Sequence, residues 1–235
     1  MKLSVLLVIT VAAFVSAASA APLCVTGGTM ASYEALGAGG CVIGDKLFSN
    51  FVYGSTGHGT GVAVGDTAVF LTPVNAGGLN PGPGFVFSSS GWVVPSASPT
   101  TNSFVDSSIA FTVTVVGSPL LIQGGTLTLS SYSTTGTGIT DITETINPAG
   151  VQLQVDGNGP FVSQKSFAPT TTVSVLKDLL VAVPILGTGN GGFAQINSFE
   201  EDFNQTEAPE PVSTLLIGSG LLGLGLWRRR AVRRG

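Results

Sequence analysis

The sequence predicts an all-β protein, a single antiparallel β-sandwich ectodomain of about nine or ten strands flanked by an N-terminal signal peptide and a C-terminal transmembrane helix. Three observations support this prediction. Apolar and polar residues alternate with a period of two along the body of the chain, glycine and proline clusters separate the alternating runs, and uncharged apolar segments lie at both ends. With 43% hydrophobic and 9% charged residues, the chain has enough apolar material to form a core.

The alternation is clearest at 108–115, where Ile109, Phe111 and Val113 are separated by small or hydroxyl side chains. Similar runs occur along the body, and turn-forming clusters such as 77–84 and 156–159 lie between them. One short helix is predicted at 30–36, closed by Gly37. The predicted strands are 47–53, 62–71, 85–87, 92–94, 108–115, 126–132, 138–146, 151–155, 172–183 and 193–203.

The N-terminus has the layout of a secretory signal peptide over residues 1–20. Lys2 precedes an apolar run at 3–15, and Ala18-Ser19-Ala20 forms an A-x-A site that predicts cleavage before Ala21. The alternative is an uncleaved anchor helix, but a run of thirteen apolar residues is short for crossing a bilayer. The β-sandwich is then expected to begin at residue 21 and to end at 203.

Export makes the two cysteines informative, because thiols can oxidise and persist outside the cytoplasm. Cys24 and Cys41 are the only cysteines, so we expect a disulfide between them. The alternative is a pair of free, buried thiols. A zinc site would need further ligands, and the chain contains one histidine.

The C-terminal region predicts a membrane anchor. A linker at 204–211 contains Pro209, Glu210 and Pro211, and it leads into sixteen uncharged residues at 212–227. As a helix this run would be about 24 Å long, slightly short of the ~30 Å hydrocarbon core. Trp227 would lie at the interface, and the tail 228–235 would remain cytoplasmic because it is basic. Its charged residues are Arg228, Arg229, Arg230, Arg233 and Arg234.

This tail resembles the PEP-CTERM sorting signal, also known as the ice-binding protein C-terminal domain. The Pro-Glu-Pro tripeptide, a Gly- and Leu-rich run at 215–226 and the arginine cluster occur in the order of that signal. The resemblance implies a Gram-negative exporter in which an exosortase, a membrane-embedded processing enzyme, recognises the signal and removes the tail. It further implies a transient inner-membrane anchor, followed by a location at the cell surface or outside the cell, commonly with exopolysaccharide as a partner.

The distribution of charge excludes nucleic acid as a partner. All 13 acidic residues and only three lysines lie between Glu34 and Glu210, so this region carries a net charge of about −10. Such an acidic body repels phosphate backbones and anionic lipid headgroups. We therefore predict neither nucleic-acid binding nor any cofactor.

The motifs that suggest chemistry have simpler interpretations. Gly218, Gly220 and Gly223 fit G-x-G-x-x-G but lie in the predicted membrane segment. Ser174 and Lys177 fit S-x-x-K, yet a strand would place them on opposite faces.

Three further candidates remain in the body. His58 is interpreted as a turn residue, and Asp156 with Asn158 as a hairpin turn rather than a calcium loop. The acidic residues at 200–202 are interpreted as a solvated strand edge rather than a glycosidase site. We therefore expect no catalytic residue and no metal site.

Two classes of function remain. The favoured one is a non-catalytic surface or matrix protein that contacts polysaccharide. The alternative is a secreted carbohydrate-active hydrolase whose catalytic carboxylates belong to a set scattered along the sequence. Two carboxylates about 5–9.5 Å apart in a cleft would favour this alternative. That set comprises Asp45, Asp66, Asp106, Asp141 and Glu144.

Overall fold

The structure is a computed structural model that describes residues 21–96, 101–185 and 192–208. The described chain is all-β, and its strands form two antiparallel sheets packed as a sandwich. It contains 13 strands, more than the nine or ten predicted. Their bounds are β1 Gly28–Thr29, β2 Cys41–Ile43, β3 Lys46–His58, β4 Phe70–Val74, β5 Gly84–Ser88, β6 Val93–Val94, β7 Ser103–Val115, β8 Leu120–Thr135, β9 Ile139–Asn147, β10 Val151–Asp156, β11 Val162–Thr170, β12 Thr172–Val183 and β13 Phe193–Glu207.

The first sheet has seven strands in the order β1-β4-β5-β13-β8-β11, with the short β6 also paired to β13. The second has six strands in the order β10-β9-β12-β7-β3-β2. The long strands β13 and β8 form the centre of one sheet, and β12, β7 and β3 form the centre of the other. Sequential neighbours pair less often than in a simple meander, so the connections cross between the sheets.

The alternation predicted from the sequence produces the core. In β7 and β12 every second side chain is buried between the sheets, and the others lie on the outer face. Aromatic rings fill much of the interior at centroid separations of 4.9–6.2 Å. The buried rings are those of Tyr33, Phe48, Phe51, Phe85, Phe87, Trp92, Phe111, Phe199 and Phe203.

The predicted helix is present as α1, Met30–Glu34. Thr29 begins it, because its hydroxyl oxygen accepts a hydrogen bond from Ser32 N at 3.3 Å. A 3-10 turn at Gly37–Gly39 follows. The helix ends at Glu34, two residues before the predicted end at Leu36, and Gly37 starts the 3-10 turn with φ of 54°, a left-handed conformation that glycine adopts without steric cost.

Three features differ from the sequence prediction. Residues 62–71 contain a 3-10 turn at Asp66–Ala68, and only their last two residues belong to strand β4. Gly61 and Gly65 flank this loop, and Val64 N donates to the Ser55 hydroxyl at 3.1 Å instead of to a neighbouring strand. The strands β1, β2 and β11 were not predicted. The last strand also continues to Glu207, beyond the predicted domain end at 203.

Cys24 and Cys41 form the predicted disulfide, with a Cα–Cα distance of 4.8 Å. The bond joins the N-terminal segment to β2, where Cys24 N also donates to Val42 O at 3.1 Å. The sequence separation is 17 residues, for which the chain-entropy model gives about 3 kcal/mol of stabilisation. The segment that precedes β1 is therefore held against the sandwich.

Several predictions fall outside the described residues. These are the signal peptide with Ala18 and Ala20, the Pro209-Glu210-Pro211 motif, the membrane segment 212–227 and the tail with Trp227 and its five arginines. Ala21, the predicted first residue after cleavage, is the first described residue. No helix within 21–96, 101–185 and 192–208 is long and apolar enough to cross a bilayer.

Candidate binding surface and a buried ion triad

The outer face of the six-stranded sheet carries an open groove of about 460 Å³. The groove lies over strands β3, β7 and β12. It is deepest at Gly54, where no side chain projects from the sheet. Asp106 is paired in register with Thr56 of β3 and Leu180 of β12, and Ser108 is paired with Gly54 and Asp178. We call this set the outer groove. Its lining residues are Gly54, Ser55, Thr56, Asp106, Ser108, Leu176, Lys177 and Asp178.

Two carboxyl groups of the outer groove are neighbours. Asp106 and Asp178 occupy diagonal positions on the adjacent strands β7 and β12. Partial desolvation, together with the hydrogen bond and charge of Asp106, raises the pKa of Asp178 above its usual value of 3.8. The groove thus presents acceptor oxygens and hydroxyl groups to a ligand that can both donate and accept hydrogen bonds.

Opposite the outer groove, on the inner face of the same sheet, lies a buried ion triad of Lys177, Glu144 and Glu201. Lys177 is 0% exposed, and its Nζ donates to Glu144 Oε2 and to Glu201 Oε2, the latter at 2.9 Å. Glu144 comes from β9 of the same sheet, whereas Glu201 comes from β13 of the opposite sheet. The triad therefore connects the two sheets across the core.

The surroundings of the triad are apolar. The ammonium nitrogen lies 5.8–6.0 Å from the ring centroids of Phe87, Phe111 and Phe199, within reach of cation–π attraction. Burial lowers the pKa of Lys177, against the raising effect of Glu201. Burial raises the pKa of Glu201 to about 7, although Lys177 acts to lower it.

A glycine makes space for this triad. A side-chain carbon added at Gly125 of β8 would lie 2.5 Å from Ile146 Cδ1 and 3.2 Å from Glu201 Oε1. Gly125 is also paired in register with Phe203, two residues from Glu201 on β13. The absent side chain leaves room for the glutamate between the sheets.

The interpretation of residues 200–202 as a solvated strand edge is wrong. The strand that contains them, β13, pairs with β5 on one side and β8 on the other, so it is an interior strand. Glu201 points into the core and Asp202 is only 3% exposed. Asn75 Nδ2 donates to Asp202 Oδ1 at 2.7 Å and to Glu200 Oε1 at 3.4 Å. Its loop covers the outward-facing carboxylates, which explains their burial.

The structure separates the scattered carboxylates considered for a hydrolase. Asp45 contacts the buried Lys46 Nζ at 2.7 Å, Asp66 lies in the 3-10 turn, and Glu144 is in the core. Asp106 and Asp141 lie on the same outer face, on the two strands that flank β12. Two interstrand spacings place their backbones about 9–10 Å apart. Both lie on an open sheet surface.

The interpretations of Ser174 with Lys177 and of Asp156 with Asn158 agree with the structure, whereas His58 is the last residue of a strand and does not lie in a turn. Ser174 is exposed and Lys177 is buried, so the two lie on opposite faces of β12. The Asp156 carboxylate accepts from Asn158 N at 2.6 Å in the turn between β10 and β11. His58 ends β3, with Nδ1 2.9 Å from Asn102 O and its ring stacked on Phe104. No cluster of potential metal ligands occurs among the described residues.

Sequence reasoning did not identify the triad or Asp178. A usable signal was present, because Lys177, Glu144 and Glu201 all stand at positions whose i±2 neighbours are inward-facing apolar residues. Asp178 could not be found in this way, since its partner Asp106 is distant in the sequence and meets it only through strand register.

Comparison with known proteins gives two distant structural similarities. No protein-family model matches the chain, and no curated protein matches it. One similar solved structure is TmCBM61 in complex with β-1,4-galactotriose, with 12% identity and a TM-score of 0.26 over 65% of this chain and 88% of that chain. Another belongs to work on carbohydrate-binding modules of the β-sandwich superfamily, with 10% identity and a TM-score of 0.25 over 71% of this chain and 58% of that chain. These values are too low to transfer a ligand from either protein.

The first prediction concerns the triad. Lys177→Met leaves Glu144 and Glu201 buried without the nitrogen that engages both of them, so we expect the free energy of unfolding at neutral pH to fall by roughly 3–5 kcal/mol. Leu179→Met is the matched control, because Leu179 is buried on the same face of β12 and the change conserves volume. The control should cost less than about 1.5 kcal/mol in chemical denaturation. Equal losses in the two variants would contradict a structural role for the contacts of Lys177 with the two glutamates.

The second prediction concerns Asp202. Burial, with the charge and hydrogen bond of Glu200, raises its pKa from 3.8 to about 7, although the hydrogen bond from Asn75 acts to lower it. Because the folded state holds this proton more tightly than the unfolded state, its stabilising contribution is present below pH 3.8 and is lost as the pH rises through about 7.

In Asp202→Asn the decrease in stability across this pH range should therefore be smaller than in the unaltered protein. Denaturation midpoints measured at several pH values check this, with Glu207→Gln as a control at the exposed end of the same strand. An unchanged pH dependence in Asp202→Asn would show that Asp202 titrates normally.

Proposed function

We propose that this chain is an exported, non-catalytic envelope or extracellular-matrix protein that binds polysaccharide on its outer groove after sorting through a PEP-CTERM signal. The observation that carries the binding part is the outer groove, an open and mainly apolar surface on which carboxylates and hydroxyls converge from three strands. The sorting part is supported by the signal peptide and by the tail with Pro209, Glu210 and Pro211.

The exit point of the chain is compatible with display of the outer groove away from a membrane. Ala208 N donates to Pro119 O at 2.9 Å, so the last described residue lies at the turn between β7 and β8. Asp106 is nine residues along β7 from Val115, which adjoins this turn. At about 3.3 Å per residue, the groove is roughly 30 Å from the exit point. A tail anchored in the inner membrane would leave the groove accessible to a polymer.

Charge favours a neutral polysaccharide over an anionic one. The body has a net charge of about −10, and the groove itself contains Asp106 and Asp178. Carboxylates bind sugar hydroxyls as strong acceptors but repel uronate, sulfate or phosphate groups on a polymer. The expected ligand class is therefore a neutral exopolysaccharide.

A carbohydrate-active hydrolase is the second candidate, favoured by one observation, the placement of Asp106 and Asp141 on one face. Glycosidases hold their carboxyl groups about 5–5.5 or 6.5–9.5 Å apart on either side of the scissile bond. Asp106 is instead a diagonal neighbour of Asp178 across the β7–β12 pair, and Asp141 Oδ1 accepts from Gln154 Nε2 at 2.7 Å. Asp141 does not line the outer groove, so it and Asp106 do not share a cleft that could hold a scissile bond between them.

The third prediction tests the groove. The double replacement Asp106→Asn and Asp178→Asn should weaken binding to a neutral polysaccharide by at least about tenfold, because it replaces strong acceptors with weaker ones. Affinity electrophoresis of the purified mature protein in gels that contain neutral or anionic polysaccharides measures this loss. Asp66→Asn is the matched control, because it removes one carboxylate outside the groove and should bind normally.

Two outcomes would contradict this assignment. Preferential retardation by anionic polysaccharides would refute the expected ligand class. Release of free sugars that is lost on replacing Asp106 or Asp141 would show that the protein is a hydrolase.

The fourth prediction tests sorting. Replacing Pro209, Glu210 and Pro211 with alanine should leave export intact, while the protein accumulates in the inner membrane because the processing enzyme no longer recognises it. Replacing the five arginines should instead impair retention in the membrane before processing, because these charges hold the tail on the cytoplasmic side. Glu207→Ala is the control, since it removes a nearby charge and leaves the motif unchanged.

The C-terminal peptide of the surface-exposed or released protein, from a host with a matching exosortase, decides the matter. We expect this peptide to lack Trp227 and the arginines. If it retains them, the tail is a permanent anchor and the sorting proposal fails.

A further inference from the structure

Lys177 is a primary amine held in the core by strand register. Its neighbours Val175 and Leu179 on the inner face of β12 are buried, and Lys177 itself is 0% exposed. The side chain cannot reach water without opening the sandwich. Its amine is therefore confined to the few groups that surround it.

The nearest of these groups are two carboxylates. Glu144 is paired directly with Lys177 in the β9–β12 ladder, so backbone hydrogen bonding fixes the approach of the two side chains. Glu201 reaches Nζ from the opposite sheet at 2.9 Å. The second oxygen of each glutamate, Oε1, has no hydrogen-bond partner within the described part of the chain. Each carboxyl group is thus engaged by the lysine alone.

The triad is not electrically balanced when all three groups are ionised, because two carboxylates face one ammonium. Three phenylalanine rings border the ammonium. These apolar rings do not replace the hydration that the charged groups lose on burial, so the fully ionised triad is costly. Burial also lowers the pKa of Lys177 and raises that of Glu201 to about 7. Both shifts reduce the free-energy difference between the ionised triad and the form with a neutral amine beside a protonated carboxyl group. The neutral form is the one that can condense.

We propose that Lys177 and Glu144 condense into an intramolecular amide that links β9 to β12 inside the core, with Glu201 as the proton-transfer partner. In the reactive form, Lys177 carries a neutral amine and both glutamates are protonated. The Nζ lone pair attacks Glu144 Cδ and forms the C–N bond. Glu201 accepts a proton from the nitrogen and returns one to the departing hydroxyl, so the Cδ–O bond breaks and one water molecule leaves.

The product replaces the buried lysine and one buried glutamate with a neutral amide, and it leaves Glu201 protonated as before. No oxidant, metal or further reactant is required, and all atoms are accounted for by the amide and the water. The link closes a covalent loop through β10 and β11, and such a loop restricts the unfolded chain in the way a disulfide does. Unlike the Cys24–Cys41 bond, it would resist reduction outside the cell.

The test is mass spectrometry of the folded, exported protein after reduction of its disulfide. We expect the intact mass to be lower than the sequence mass by one water molecule, and protease digestion to yield a branched peptide that joins Lys177 to Glu144. Mapping is needed because Asp156-Gly157 can also lose water by forming an imide. Amine-reactive labelling of the unfolded protein should leave Lys177 unmodified while it labels Lys165, an exposed lysine that serves as internal control.

The unaltered protein decides the question without depending on the folding of any variant. An unmodified Lys177 that is labelled as fully as Lys165, or a branched peptide that joins Lys177 to Glu201, would overturn the proposal. Glu201→Gln should fold with a hydrogen-bonding side chain in place but leave Lys177 unjoined. A complete Lys177–Glu144 link in that variant would refute the role given to Glu201.

Discussion

The meeting of one lysine and two glutamates between the sheets constrains the rest of the sandwich. Lys177, Glu144 and Glu201 come from three strands, and a shift of one residue in any of them would turn its charged group to the outer face. Burying these charges apart from each other would cost several kcal/mol per ion. The strands β9 and β12 must therefore pair in the register that brings Lys177 next to Glu144. Strand β13 must lie across the core so that Glu201 reaches the same lysine. The same register sets which residues of β12 reach the opposite, outer surface.

The outer groove follows from this constraint. Because Lys177 points inward, Leu176 and Asp178 point outward, and Asp178 meets Asp106 of β7 on the exposed face. Gly54 of β3 completes the groove by leaving its floor open. The outer groove and the Lys177–Glu144–Glu201 cluster thus occupy the two faces of the same strands. The chain exit at Ala208 lies toward one end of these strands, and the groove lies toward the other.

The parts of this organisation that depend on local pattern could be predicted from the sequence. Alternation indicated β7, β10 and β12, and the isolated cysteine pair indicated the disulfide. Strand β11 was missed because six of its nine residues are exposed and Pro169 interrupts it, so no alternation is visible. The segment 62–69 contains Val62 and Val64 at alternate positions but belongs to no strand. The groove and the triad depend on contacts between strands far apart in the sequence, which local pattern does not encode. The alternation of β12 and β13 does place Lys177 and Glu201 on the inner face. Predicting this from the sequence would have meant assigning charged residues to the core because of their position in the alternating pattern.

We propose that the outer face of the six-stranded sheet binds polysaccharide. Amide chemical-shift mapping of the purified protein with fragments of a neutral polysaccharide tests this proposal. We expect shifts centred on Gly54, Thr56, Ser108 and Asp178, with little change in the seven-stranded sheet. Tyr132 and Phe161 form a stacked aromatic pair, with Phe161 45% exposed, away from this groove. Shifts confined to that pair, or no shifts with any neutral fragment, would contradict the claim.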